Sequence, residues 1–347
     1  MSAPVYTKVV ILGTAWYHIA VGQTESLAYI VVNGKNGHVL AAHQADRLQQ
    51  PASLTKKMTL RLLFEALRRK TISLRTRFKV PPQATVQIPS KLGLQAGQSI
   101  SVKDLIHALV IKSANDAAYV VATGLCGQME TFVARMNQRA KQLGMLQTHF
   151  QNPAGTPDDR QYSTAKDMVR LAQSLYRDFP EYCHYFQLRG FHYNRRFYKS
   201  HNHLLGRVPG LDGIKTGYVA KAGFCISTSA VRYQVNGQPV RLFAVFLGGQ
   251  TAHLRDQQAQ LILEEQFQKL GATFLTPPCS EKKLSVILSE FRSSATKKVS
   301  RRQEKKMDRV DDPRSDRSSA VDLHSKSDPH DAILPKGWVR ATRAELS

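Results

Sequence analysis

The feature that most constrains the fold of this sequence is the position of its strand-like segments, which lie at both ends of a long helical region. Such segments occupy residues 27–32, 38–42, 224–231 and 240–246, with Asn-Gly turn signals within each pair. Between them, apolar residues recur at helical spacing from Ser53 onward. This order predicts an α+β fold, in which an antiparallel sheet is closed by the two ends of the region and flanked by helices.

Capping residues mark the predicted helices. Ser101 and Asp104 form a capping box before one apolar helix, which leads into the segment Ser113-Ala114-Asn115 and a further helix. Another helix is predicted over residues 129–143, and Ser163 or Thr164 caps one that ends near Tyr176. A last helix is predicted from about Ala252 to Leu270.

Charge narrows the range of partners. The 347 residues are 42% hydrophobic, enough to bury a core, and carry a formal charge of +23 with a pI near 10. Such a field favours an anionic partner, which would be a nucleic acid, a membrane surface or an acidic polymer. The sequence contains no recognisable nucleic-acid-binding motif, so we predict no nucleic acid partner.

The two ends of the chain differ in composition from the middle. Lys8 and the apolar run that follows it predict a signal peptide over residues 1–24, although an ordinary first strand or helix would also suit this run. Residues 25–276 form the predicted catalytic domain. Residues 277–347 are basic and poor in aromatics, which predicts a disordered tail. The four cysteines form no CxxC pair, so no zinc site is predicted, and their disulfide state stays open.

Three short motifs carry the chemistry. They are Ser53-Leu54-Thr55-Lys56 at a helix start, Ser113-Ala114-Asn115 between helices, and Lys215-Thr216-Gly217 just before a predicted strand. Residues three apart share a helix face, so Lys56 can reach the Ser53 hydroxyl and accept its proton. The helix dipole and Lys215 would lower the pKa of Lys56. The backbone N–H groups of Ser53 and Tyr218 would stabilise an oxyanion.

Each motif also has a purely structural interpretation. Ser53 is a suitable helix cap, Lys56 a suitable surface residue, and the other two motifs are suitable turns. Their joint occurrence in this order favours function, because it matches the penicillin-recognising serine enzymes.

With these motifs and their surroundings, the sequence resembles the bacterial serine D-alanyl-D-alanine carboxypeptidases, which are low-molecular-mass penicillin-binding proteins. The resemblance runs from about Leu27 to Leu270. It includes five segments, which are residues 51–56, residues 112–118, Asn152-Pro153-Ala154-Gly155, residues 162–168 and residues 210–217. It implies the β-lactamase and DD-peptidase fold, with the site between the sheet unit and a helical subdomain.

The resemblance also implies roles for individual residues. Ser53 would be the nucleophile and Lys56 the base of acylation, while Ser113 would assist proton transfer. Substrate binding would fall to Asn115, Lys215, Thr216, Gly217, Tyr218 and Arg255. No metal and no cofactor are implied, and His201-Asn202-His203 is interpreted as structure or site wall. The substrate would be a peptidoglycan pentapeptide ending in D-Ala-D-Ala, and β-lactams would acylate the same serine.

Two departures and two rival functions complete this interpretation. Ala114 stands where glycine is common, and a C-terminal β-rich domain with a membrane helix, frequent in the family, is not recognisable here. The predicted location is the periplasm or cell envelope, peripheral to the inner membrane, with electrostatic contact to an anionic wall or membrane. The rivals are a β-lactamase of the same fold and a non-catalytic basic wall-binding protein. The acidic residues Asp158 and Asp159 do not match the deacylating glutamate of class A β-lactamases.

Overall fold

The computed structural model of this chain describes residues 7–12, 15–20 and 27–276. Their strands run in chain order from the N-terminal hairpin to the long strands after residue 210. They are β1 (Thr7–Leu12), β2 (Ala15–Ala20), β3 (Ala28–Asn33), β4 (Val39–His43), β5 (Arg77–Lys79), β6 (Ser99–Ser101), β7 (Gly190–Tyr193), β8 (Arg196–Lys199), β9 (Leu211–Val219), β10 (Gly223–Tyr233) and β11 (Pro239–Gly249).

The main sheet joins distant parts of the chain. Its five strands lie in the order β4-β3-β11-β10-β9, and every neighbouring pair is antiparallel. Strand β11, near the end of the described region, pairs with β3 at its start. The predicted sheet closed by both ends of the region is therefore confirmed, and β9 lies at its edge.

Most helices lie between the two sets of strands. They are α1 (Lys56–Arg68), α2 (Pro82–Thr85), α3 (Val102–His107), α4 (Asn115–Cys126), α5 (Met129–Gln142), α6 (Ala165–Asp178) and α7 (Ala252–Lys269). A 3₁₀ turn, Ala52–Thr55, precedes α1, and a π turn, Ala108–Lys112, extends α3. Ser101 and Thr164 cap α3 and α6 by accepting from the backbone N–H three residues on, as predicted.

Strand β11 divides the core into two layers because alternate side chains point to opposite faces. Leu242, Ala244 and Phe246 pack in the cluster beneath α7. Phe243, Val245 and Leu247 belong to the larger cluster, which also contains the buried faces of α1, α4 and α6. Both faces of the sheet are thus covered, and α1 is held against the face opposite α7.

One prediction about local structure is wrong, and one hairpin was not predicted. Lys215-Thr216-Gly217 does not precede a strand but lies inside β9. The two glycines of β9 and its buried polar residues hide the alternation of apolar and polar residues that is expected of a strand. The hairpin that was not predicted is β7–β8.

The structure leaves the predictions for the two termini open. The backbone of 7–12 and 15–20 pairs as an antiparallel hairpin, and the signal peptide over 1–24 stays a prediction. The tail 277–347 lies outside the described residues. Within those residues, no helix is both long and apolar enough to cross a membrane. Cys126, Cys183 and Cys225 are unpaired there.

Candidate active site

The entry into α1 places Ser53 one turn before Lys56. Ala52 has a φ of 48°, an uncommon left-handed conformation for a residue with a side chain. The tight turn at Ala52–Thr55 then leads directly into the helix. In this arrangement Nζ of Lys56 lies 2.9 Å from Oγ of Ser53. The sequence spacing that predicted this contact is thus realised through a 3₁₀ turn rather than a regular helical one.

Lys56 is fully buried and surrounded by oxygen atoms. Besides Ser53, its Nζ contacts Oδ1 of Asn115 at 2.7 Å and the carbonyl oxygen of Ala154 at 2.5 Å. Burial first, and then the nearby charge of Lys215, lower the pKa of Lys56 well below its usual value, while Asp116 acts in the opposite direction. A neutral amine has two N–H groups and one lone pair. The two carbonyl oxygens take the N–H groups, which leaves the lone pair for the hydroxyl hydrogen of Ser53.

In the second motif, Ser113 contacts Lys215 and Asn115 contacts Lys56. Ser113 ends the π turn in a left-handed conformation, with φ 59° and ψ 34°. Its Oγ accepts a hydrogen bond of 2.8 Å from Nζ of Lys215. Asn115 begins α4, and its Nδ2 donates to the carbonyl oxygen of Ile88 at 2.8 Å. That bond fixes the amide orientation, so Oδ1 faces Lys56.

Lys215 is a second buried amine, only 1% exposed. It donates to Oγ of Ser113 and to the carbonyl oxygen of Thr216, both at 2.8 Å. Burial, and to a lesser degree the charge of Arg255, lower the pKa of Lys215 to about 7. Its charge state therefore changes near neutral pH.

Two glycines let backbone segments approach the serine turn. A Cβ placed on Gly217 would lie 2.9 Å from the backbone N of Ser53, so β9 passes directly beside that amide. A Cβ on Gly155, where φ is 79°, would overlap the carbonyl of Ala52. Both positions need glycine for close approach, and both segments hold the turn that carries Ser53.

These residues line one cleft of about 370 Å³. Its wall includes nearly all of the predicted site residues, among them Thr216, Tyr218 and Arg255, while Lys56 and Lys215 lie buried behind it. Tyr218 is 55% exposed, and its ring lies against that of Phe224 in a tilted arrangement, with ring centroids 4.3 Å apart and 32° between the ring planes. The guanidinium of Arg255 is held by Asp256, at 2.6 and 2.9 Å, and by the carbonyl oxygen of Cys225 at 3.0 Å.

His201 and His203 also line the cleft. Burial and the surrounding cations lower the pKa of His201 to about 4, so it is neutral near pH 7. No group of three metal-binding side chains comes together within residues 27–276.

Sequence reasoning assigned no role to three contributors, Ala154, Asn152 and Asp116. The carbonyl oxygen of Ala154 contacts Lys56, and Oδ1 of Asn152 holds its turn by accepting from the N–H groups of Ala154, Gly155 and Thr156. The Asn-Pro-x-Gly pattern signals such a turn but not its partner. Asp116 accepts from the backbone of Leu92, Gly93 and Leu94 and so ties that loop to α4.

A family model described as D-alanyl-D-alanine carboxypeptidase matches residues 17–251. Among curated proteins, D-alanyl-D-alanine carboxypeptidase DacF of Bacillus subtilis is 30% identical over 71% of this chain and 63% of its own length. The corresponding enzyme DacC of Escherichia coli is 33% identical over 73% of this chain and 66% of its own length. The chain thus spans just under two thirds of these relatives.

Solved structures agree with this similarity. Penicillin-binding protein D2 from Listeria monocytogenes, in its ampicillin-bound form, is 31% identical. It superposes with a TM-score of 0.62 over 69% of this chain and 96% of its own.

Proposed function

Because this chain belongs to the D-alanyl-D-alanine carboxypeptidase family, we propose that it removes the terminal D-alanine from peptidoglycan pentapeptides ending in D-Ala-D-Ala. The observation that carries the proposal is the environment of Lys56. Its amine is buried, and its Nζ lies within hydrogen-bonding distance of two carbonyl oxygens and of Oγ of Ser53. In the neutral amine the two carbonyl oxygens take the N–H groups, and the lone pair is left for the hydroxyl of Ser53. A serine paired with such a base is the arrangement that nucleophilic acyl transfer needs.

In acylation, Oγ of Ser53 attacks the carbonyl carbon between the two D-alanines, and Lys56 takes the hydroxyl proton. The backbone N–H groups of Ser53 and Tyr218 receive the oxyanion. The close passage of β9 beside Ser53 supports this assignment, because it brings the two segments to the same point of the cleft. The peptide C–N bond then breaks as its nitrogen gains the proton that Lys56 took, passed on through the hydroxyl of Ser113, and D-alanine leaves with Lys56 neutral again.

Substrate binding falls to the positive end of the cleft. The ammonium of Lys215, the hydroxyl of Thr216 and the guanidinium of Arg255 would hold the terminal carboxylate. Asn115 would hold the peptide amide. In deacylation, water attacks the ester carbonyl and gives its proton to Lys56, which returns it to Oγ of Ser53 as the acid product leaves.

β-Lactams are the proposed acylating inhibitors, as the ampicillin-bound form of the Listeria relative suggests. Among the described residues that line the cleft, none carries a carboxylate. Asp158 pairs with Arg160 and Asp159 with Lys221. A bound penicilloyl group would therefore lack the acidic base of a class A β-lactamase, which favours the carboxypeptidase over that rival.

The proposed place of action is the cell envelope, with the protein exported to the periplasm. The substrate class supports this location, since peptidoglycan lies outside the inner membrane. The charge of +23 would add electrostatic attraction to an anionic wall or membrane surface.

Labelled penicillin tests the proposal on the purified protein. We expect a single adduct on Ser53 and release of D-alanine from a soluble D-Ala-D-Ala peptide. Ser53→Ala should abolish both, while Ser73→Ala, at an exposed serine outside the cleft, should change neither. An adduct on another residue, or labelling of the Ser53→Ala protein, would refute the assignment.

A further inference from the structure

A third lysine, Lys57, lies buried next to the site and takes no part in the proposed reaction. Its side chain leaves α1 about 100° around the helix from that of Lys56, and it is 0% exposed. Its Nζ donates to the carbonyl oxygen of Met168 in α6 and to Oγ of Ser227 in β10, both at 2.9 Å. Within residues 27–276, no carboxylate lies within ion-pair distance of it.

A lysine in this position is costly as a purely structural element. An ammonium removed from water without a counter-ion loses its solvation, and two neutral oxygen acceptors restore only part of it. A methionine would fill a similar volume without that cost. Burial and the charge of Lys215 accordingly lower the pKa of Lys57 to about 7.

The geometry connects Lys57 to Lys215, the lysine that is proposed to bind the substrate. Ser227, which holds Nζ of Lys57, lies directly opposite Lys215 in the antiparallel pair β9–β10. Opposite residues of such a pair present their side chains on the same face, about 5 Å apart at Cβ. The ammonium groups of Lys57 and Lys215 therefore lie on the same face of the sheet. The repulsion between them opposes the protonation of each lysine equally.

Other charged groups surround this pair. Arg255 of α7 opposes the protonation of Lys215, and Lys215 in turn opposes that of Lys56 in α1. Asp116 of α4 favours the protonated form of Lys56, and His201 adds no charge near neutral pH. From α6 and β10, Lys57 receives only the uncharged oxygens of Met168 and Ser227.

We propose that Lys57 is a positioning residue of the carboxypeptidase, whose ammonium, held by Ser227, opposes protonation of Lys215 and so sets the upper pH limit of substrate binding. The inference rests on the proposed function, in which protonated Lys215 holds the substrate carboxylate. When Lys57 carries its proton, Lys215 loses its own at a lower pH. The alkaline limb of the pH–rate profile then begins at a lower pH than it would if Lys215 titrated without a charged neighbour at Lys57.

The test is kcat/KM against pH for a soluble D-Ala-D-Ala peptide. Lys57→Met removes the charge while keeping an unbranched apolar side chain, so the alkaline limb should move up by about one pH unit, the order expected for two nearby charges. A side chain that only packs would change kcat/KM by the same factor at every pH. An unmoved alkaline limb in a folded Lys57→Met protein would overturn the proposal.

Two further variants sharpen the result. In a Lys215→Arg background the charge does not titrate below pH 12, so adding Lys57→Met should no longer shift the limb. Ser227→Ala keeps Lys57 but removes one acceptor of its ammonium, and should shift the limb in the same direction by a smaller amount. This variant decides the matter if Lys57→Met does not fold, and an unmoved limb would again overturn the proposal.

The same assays separate the two levels of inference. If the wild-type protein releases no D-alanine and takes up no penicillin, the proposed function fails. If it does both and Lys57→Met leaves the alkaline limb unmoved, only the role of Lys57 fails.

Discussion

At the scale of single residues, Lys56 and Lys215 show how surroundings give one residue type two tasks. Both are buried and both have a lowered pKa. The N–H groups of Lys56 are directed at carbonyl oxygens, which leaves its lone pair for a proton. Lys215 instead donates to Ser113 and to Thr216, at the end of the cleft that is proposed to bind the substrate carboxylate. The charge of Lys215 helps to keep Lys56 neutral, so the two tasks are coupled.

Lys215→Ala should therefore change both the rate and its pH dependence. Without the Lys215 charge, the pKa of Lys56 rises, and the acid limb of kcat/KM moves to higher pH because Lys56 works only when neutral. Loss of one preorganised charged donor should also raise the barrier by about 2–4 kcal/mol.

The measurement is kcat/KM from pH 5 to 10, with circular dichroism to verify folding. Lys215→Arg serves as the matched control, because it keeps the charge and should leave the acid limb in place while changing donor geometry. Near wild-type kcat/KM in Lys215→Ala across this range would contradict the substrate-binding role.

At the scale of elements, α4 links the site to the loop at Leu92–Leu94. Asp116, in the first turn of α4, accepts three backbone N–H groups of that loop. The preceding residue, Asn115, contacts Lys56. One helix start thus fixes both the loop and the base, and it places a negative charge where it favours the protonated form of Lys56.

Asp116→Ala should lower stability and shift the acid limb in the direction opposite to Lys215→Ala. Three N–H groups lose their acceptor, which should cost about 2–4 kcal/mol of unfolding free energy. Removing the negative charge lowers the pKa of Lys56 further, so the acid limb should move to lower pH. Urea denaturation and kcat/KM against pH measure the two effects, and a shift of the limb to higher pH would contradict the electrostatic argument.

The elements also differ in how readable they are from sequence. Strands β3, β4, β10 and β11 and the long helices follow apolar periodicity, which local sequence carries. Strand β9 does not, because the buried residues Lys215, Thr216 and Gly217 of the site interrupt its apolar alternation. The Ser53–Lys56 contact could be predicted from spacing alone. The contact from Ala154 could not, since a backbone carbonyl leaves no trace in residue type.

At the scale of the whole molecule, buried lysines make stability depend on pH. Lys57 and Lys215 have folded-state pKa values of about 7, against 10.5 when exposed. Between these values the unfolded chain binds more protons than the folded one, so stability rises with pH, by up to about 1.4 kcal/mol per pH unit for each lysine.

We therefore expect Tm, measured by circular dichroism, to rise from pH 6.5 to 8. The range stops at pH 8 because the buried thiols Cys183 and Cys225 oppose the trend where exposed thiols ionise. Lys57→Met should have a higher Tm at pH 6.5 and a shallower slope. A wild-type Tm that falls over this range would contradict the account.

Removal of residues 292–347 should leave catalysis on a soluble peptide nearly unchanged. Among residues 27–276, those that line the cleft fall between Ser53 and Arg255. We expect kcat within about twofold of the full chain, since no group of the site is lost. A fall in kcat of tenfold or more, with the circular dichroism spectrum retained, would assign that segment a part in the reaction.

The central place of β11 governs when the enzyme can first act. This strand is the last of the sheet along the chain, yet it separates β3 from β10. During synthesis, more than 200 residues separate the end of β3 from the start of β11, its second neighbour in the sheet, and pairings of such long range form slowly. A nascent chain therefore stays without a finished sheet until residue 249 has been made. Such a delay would suit the proposed export, because a chain that crosses a membrane in extended form must not fold first.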